Sequence, residues 1–207
     1  TTKQLQATAA VAHACSSILD PEALVAEVVN QIQREFAGMG VYYVGVFLLD
    51  AEMEGGGKRT ALLKAATGSI GRRLLDQGYE VALDGLSAVG RCITQQQSIV
   101  ASSKSASGAS DGSLLEGARA GATLPLRSRG RVLGALSVQS TQEGVFGEEV
   151  VGVLEAMADQ VAVALDNARL FAQTGAALKE VQDAQRRYLE QAWKEFLSTS
   201  PVTTVEY

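Results

Sequence analysis

Between Gly121 and Phe171 the chain passes from one hydrophobic period to another, and that change limits the folds open to it. In the first half Leu124 and Leu126 alternate with Thr123 and Pro125. Val132, Gly134, Leu136 and Val138 then alternate with Leu133, Ala135 and Ser137. A period of two marks strands with two distinct faces. Ser128-Arg129-Gly130 separates the two runs, and a glycine in so short a connection suits a hairpin. Pro125 has no N–H to give to a ladder, which predicts an edge or a bulge there. In the second half Leu154, Met157, Val161, Ala164, Ala168 and Phe171 recur at steps of three and four, one helical stripe. A hairpin feeding such a helix implies a sheet that the helix covers.

The rest of the chain supplies that sheet. Residues 1–19 read as a first, alanine-rich helix. Asp20-Pro21 reads as the start of a second, Asp20 capping and Pro21 in the first turn. Val25, Val28, Val29, Ile32 and Phe36 form its apolar face, and Gly38 and Gly40 end it. Val41–Leu49 is β-branched and aromatic with almost no polar residue, as in a central strand buried on both faces. An acidic glycine-rich turn over 50–58 leads to a second strand over 60–67. The stretch 68–78 reads as a loop with one helical turn. A short strand over 79–83, a short helix over 86–96 and a strand over 98–102 follow. Lys104 to Gly117, rich in Ser, Gly and Ala, reads as a mobile lid. Helices at both ends and strands between them predict an α+β fold. Its six-stranded antiparallel sheet would have the terminal helices on one face, and the short helix and lid on the other. A small ligand would fit between sheet and lid.

Composition narrows function. A formal net charge of −5 argues against nucleic acid as a partner. No apolar run reaches the ~18 residues of a membrane span, so no direct membrane contact is expected. Cys15 and Cys92 do not make a disulfide framework, which points to a reducing, cytoplasmic setting. One histidine, His13, is too few for a zinc site of the usual kinds and badly placed for a Ser-His-Asp triad. A start at Thr1-Thr2 in place of Met leads us to expect a fragment of a longer protein.

Five segments resemble the GAF domain family in order: YYVGVFLLD at 42–50, LKAATGSIGRRLLDQGYEV at 63–81, SAVGRCITQQQSIVAS at 87–102, LPLRSRGRVLGALSVQS at 124–140 and FGEEVVGVLEAMADQVAVALDNARLF at 146–171. The resemblance covers about residues 21–171. It implies a non-catalytic sensor or regulatory domain with a central antiparallel sheet, inside a multidomain bacterial signalling protein such as a sensor histidine kinase of a two-component system. It implies three parts: an N-terminal connector helix over 1–19, the sensor domain over 20–172, and a signalling helix and tail over 173–207. An adjacent effector domain is then the expected partner. The specialised subfamilies fit poorly. Cys92 is followed by Ile93 and not by the histidine common in bilin-binding members. The Asn-Lys, Phe and Asp-Glu signature of cyclic-nucleotide binders is absent, and His13 lies outside the match as a haem ligand. A free methionine sulfoxide reductase would need a second pocket cysteine beside Cys92. The cofactor is left unknown, and a ligand-free dimerisation module is the main alternative.

Phe47, Thr67, Ser102, Asp111 and Thr123 are candidate pocket positions, from strands and lid facing the expected cavity. Ser87 is a candidate polar anchor at the start of the short helix, where free N–H groups could meet a ligand; its simpler reading is a helix cap. Cys92 reads first as a small buried hydrophobe, with a redox or ligand-contacting thiol as the alternative. Arg127, Arg129 and Arg131 read as a solvated basic turn, against a contact with an acidic partner domain. Past Phe171 the helical pattern continues through Leu178, Val181, Gln185, Tyr188 and Ala192, with Leu189 and Trp193 beside them. That stripe predicts a homodimer through the terminal helices, since apolar side chains left in water cost about 25 cal/mol per Å².

Overall fold

The computed structural model describes residues 20–49, 59–83, 87–103 and 114–199. The expected helix over 1–19, the turn over 50–58, the lid residues 104–113 and the tail after 199 lie outside the described residues. Helix α1 (Pro21–Phe36) starts as its sequence dictates: the Glu22 N–H donates to Asp20 Oδ1 at 3.2 Å and Pro21 occupies the first turn. The predicted apolar face, with Leu24 added, is buried. A 3-10 turn (Ala37–Met39) and Gly40 at φ +68° end the helix. A Cβ at Gly40 would press on Thr141 and Gln142, so a side chain there is disfavoured by space as well as by φ.

The sheet contains β1 (Val41–Leu49), β2 (Thr60–Ala66), β3 (Glu80–Ala82), β4 (Ile99–Ser102), β5 (Ala120–Ser128) and β6 (Arg131–Ser140). Their order is β3-β2-β1-β6-β5-β4, and every neighbouring pair is antiparallel. This is the expected α+β fold. Two halves, β1–β3 and β4–β6, meet where β1 pairs with β6. Gly134 makes that seam possible, because a Cβ there would collide with the Phe47 carbonyl oxygen. The chain crosses from the β3 edge to the β4 edge by way of α3 (Ala88–Gln95), which carries that helix over the sheet. Ser128 pairs with Arg131, and Arg129 (φ +51°) and Gly130 (φ +75°) form the two-residue turn of a type I′ hairpin. Pro125 sits on β5 beyond the end of the β4 pairing and next to a register shift at Leu126/Arg127. Both features spare it a lost ladder bond.

The two faces are covered differently. On one, α1 and α4 (Glu148–Thr199) bury Leu24, Val28 and Ile32 against Val44, Leu124, Leu136, Leu154 and Met157. On the other, α3 and α2 (Gly68–Asp76) pack on a smaller core that includes Phe47, Leu63, Val81, Val89 and Ile93. The expected loop over 68–78 is thus corrected to a nine-residue helix. Glycine at 68 and 71 weakens its local signal. Yet Gly71 is what lets the helix lie on Ala66, since a Cβ there would stand 2.8 Å from the Ala66 Cβ. In the long-helix stripe Leu154, Met157, Val161 and Ala168 are buried, as expected, but Phe171 is 64% exposed. Ala158, Ala162 and Leu165 are buried apolar residues the pattern missed.

The described residues divide into two compact units after Ala168. In the second unit Leu178, Val181, Tyr188, Leu189 and Trp193 are all exposed on α4. No helix among the described residues is long and apolar enough to cross a membrane.

Candidate functional site

The α2/α3 face holds a cavity of about 40 Å³. Its floor comes from the centre of the sheet. Gly45 on β1, Ser137 on β6 and Thr123 on β5 are cross-strand neighbours in one row. Rows of Tyr43, Gln139 and Gly121, and of Phe47, Ala135 and Pro125, flank it. Small side chains in the middle row leave space above them. Part of it is taken by Tyr43, whose hydroxyl a Cβ at Gly45 would strike.

The walls come from four places. Leu74 projects from α2, Tyr79 precedes β3 and Val81 lies within it, and Ser87, Ala88 and Val89 open α3. Leu115 closes the remaining side, its N–H donating to Gln139 Oε1 at 2.7 Å. Tyr79 is fixed by its own backbone. Its N–H donates to the Leu74 carbonyl at 3.0 Å and its carbonyl accepts the Leu63 N–H at 2.9 Å. Its ring meets Phe47 edge-on, with centroids 6.3 Å apart. No charged side chain lines this cavity among the described residues. Burial pushes the Tyr43 phenol well above its ordinary range, with Tyr79 and Tyr42 adding to the effect, so it remains neutral.

Of the sequence candidates, the cavity gathers Phe47, Ser87 and Thr123. Ser87 is committed to capping, since the Gly90 N–H donates to its Oγ at 2.9 Å. Thr67 is buried but lies apart from the cavity. It closes the β1–β2 ladder instead, its Oγ1 accepting the Val44 N–H at 2.9 Å and its N–H donating to the Val44 carbonyl at 2.9 Å. Ser102 ends β4 away from the cavity walls. Asp111 lies outside the described residues. Cys92 does not line the cavity either. It lies on the buried side of α3, its Sγ donating to the Thr123 carbonyl on β5 at 3.5 Å. Burial pushes its thiol up to about 12, against a small opposing pull from Arg127. A thiol so protonated and enclosed is a poor nucleophile.

Tyr43, Tyr79, Ser137 and Gln139 were missed. For Ser137 and Gln139 a signal existed: in the β6 sequence one face reads Leu136, Val138 and the other Ala135, Ser137, Gln139. Polar groups on a central strand need a reason to be there.

The basic turn is solvated, as its first sequence reading has it, and it also has acidic partners within the chain, which neither reading named. Asp166 of α4, its side chain 7% exposed, accepts from Ser128 Oγ at 3.1 Å and faces Arg129 Nε at 3.4 Å and Arg131 Nη2 at 3.5 Å. Arg129 Nη2 also donates to Asn167 Oδ1 at 3.2 Å, and Arg127 lies 3.8 Å from Asp159. The arginines are largely exposed, so each ion pair contributes at most ~1 kcal/mol. The buried Ser128–Asp166 bond does more of the fastening. The tip of the hairpin that forms the cavity floor is thereby tied to α4. Among the described residues no group of three His, Cys, Asp or Glu could hold a metal ion.

A family model described as GAF domain matches residues 19–166. The chain belongs to the GAF domain family. Solved GAF folds resemble it closely in shape and weakly in sequence. The GAF domain of Acinetobacter phosphoenolpyruvate-protein phosphotransferase superposes with a TM-score of 0.67 at 20% identity, over 82% of this chain and 96% of that one. The corresponding domain from Coxiella burnetii gives 0.66 at 15%, over 83% and 98%. A free methionine-R-sulfoxide reductase from Neisseria meningitidis, in complex with its substrate, gives 0.65 at 16%, over 81% and 90%. At such identities the likeness shows the fold alone. A search of curated protein sequences found no match.

Proposed function

We propose that this GAF domain is a non-catalytic sensor or regulatory module of a multidomain signalling protein, of the kind found in sensor histidine kinases. A small molecule enters the α2/α3 face, and the change is relayed through α4 to an adjacent effector domain. The observation that carries this reading is the cavity itself: a polar floor in the middle of the sheet, with no charged side chain or thiol among the described residues that line it. The Asp166 clasp supports the relay, because it joins the strands of that floor to α4. The exposed side chains of Leu178, Val181, Tyr188, Leu189 and Trp193 support a homodimer built on the C-terminal part of that helix.

The test is a thermal-shift panel of cyclic nucleotides, amino acids and small neutral metabolites, run beside sedimentation analysis of the same protein. A ligand present at 100 times its Kd stabilises by about 2.7 kcal/mol, a shift of several degrees. A chain that is monomeric at high micromolar concentration would remove the dimer. A second reading, a ligand-free dimerisation module, is favoured by one fact: 40 Å³ is far below the roughly 300 Å³ of ordinary ligand sites. It predicts a dimer whose melting no compound moves. The reductase reading rests on Cys92 alone, whose thiol is buried and held protonated. It predicts turnover of free methionine-R-sulfoxide, where we expect none.

A further inference from the structure

The geometry points to an uncharged head group with adjacent hydrogen-bond donor and acceptor, of carboxamide type, as the ligand chemistry of the cavity; this rests on the ligand-binding reading above. Thr123 and Ser137 are register partners on β5 and β6, both 4% exposed and both lining the cavity. Directly opposed residues on antiparallel strands hold their Cβ atoms about 4.5–5.5 Å apart, so the two hydroxyls form one short polar strip. Thr123 uses its carbonyl for Cys92, but neither hydroxyl is engaged by another described group. Two hydroxyls left in this way each retain a donor and an acceptor. A C=O and an N–H side by side, as in a carboxamide, would satisfy one hydroxyl as acceptor and the other as donor.

The rest of the lining decides the charge. Leu74, Val81, Val89 and Leu115 are apolar, Phe47 and Tyr79 are aromatic, and Gln139 is occupied by the Leu115 N–H. An anion entering here would lose its water and find no cation among the described walls. The volume admits only a small group, a head and not a whole nucleotide.

Acetamide and acetate make the test, since they share shape and size and differ in charge. Each is titrated into the full chain with labelled methyl groups, in the millimolar range expected of so small a probe. The expected result is saturable shifts at the Thr123 and Val89 methyls with acetamide and none at the same concentration of acetate. Thr123→Val combined with Ser137→Ala should weaken acetamide about tenfold, the loss of roughly one good hydrogen bond. Acetate binding as well as acetamide at these residues would overturn the inference while leaving a ligand site in place. So would a silent acetamide titration when a compound of the thermal-shift panel shifts the same methyls. Silence from both probes and the whole panel would sink this inference and the ligand-binding reading together.

Discussion

The two faces of the sheet are made by the same strands and differ in what they bury. Toward α1 and α4, β6 presents Leu136 and Val138 and β5 presents Ala122, Leu124 and Leu126, all buried in one apolar cluster. Toward α2 and α3, the intervening residues are Ala135, Ser137 and Gln139 on β6 and Gly121 and Thr123 on β5. The first face is closed by two long helices. The second is closed by helices of nine and eight residues and retains a cavity. Period two lets a single strand give one side to stability and the other to a site. It also predicts that neighbouring residues on one strand will respond very differently to substitution.

The largest effect should fall on the helix-covered face. Leu136→Ala empties a fully buried position and should cost about 2–5 kcal/mol in chemical denaturation. A loss below about 1 kcal/mol would mean that this face is not the main core. Next is the clasp. Asp166→Ala leaves the buried Ser128 hydroxyl without its acceptor and should cost about 1–3 kcal/mol. Arg129→Ala, removing an exposed arm of the same cluster, should cost under about 1 kcal/mol. Equal losses from the two would show that the ion pairs, and not the buried bond, hold the hairpin to the helix.

Cys92 sharpens the contrast through pH. In the unfolded chain the thiol ionises near its ordinary 9.0, whereas the folded thiol keeps its proton to about 12. Above 9.0 the unfolded state therefore binds fewer protons, and stability falls as pH rises through that window. Below it the contribution is fully present. The wild type should lose up to about 1.4 kcal/mol per pH unit more than Cys92→Ala across that range. Parallel pH curves for the two proteins would show that Cys92 is not held protonated by burial.

Much of this plan is written in local sequence. Asp20-Pro21 and the stripe through Phe36 specify α1, and the unbroken apolar run of Val41–Leu49 specifies the central strand. The alternation around Ser128-Arg129-Gly130 specifies the hairpin. What escapes is decided between distant segments. The helix at 68–76 depends on Gly71 meeting Ala66, a contact no helix propensity encodes. Thr67 looks like a pocket hydroxyl until the β1–β2 register shows it completing a ladder. The cavity floor needs three strands in register, and a one-residue slip would send Thr123 and Ser137 to the other face. Asp166 reads as one more helix charge until the hairpin folds back beside it. Cys92 reads as a small buried hydrophobe, with no Lys or His nearby to mark a lowered pKa, and it is fully buried.

The smallest effect should come from the cavity floor. Ser137→Ala, one residue from Leu136, and Thr123→Val should each change stability by less than about 0.5 kcal/mol, since they remove hydroxyls that the fold does not use. A loss as large as that of Leu136→Ala would erase the distinction between the faces.

Native-state amide hydrogen exchange tests the division of labour most directly, because it reads both faces in one unmodified molecule. Amides of α1 and of the paired β1 and β6 should exchange only through global unfolding. Those of α3 should exchange through local opening at a clearly lower free energy, as befits the cover of a binding site. If α3 is as strongly protected as α1, the second face is simply more core, and the account given for it is wrong.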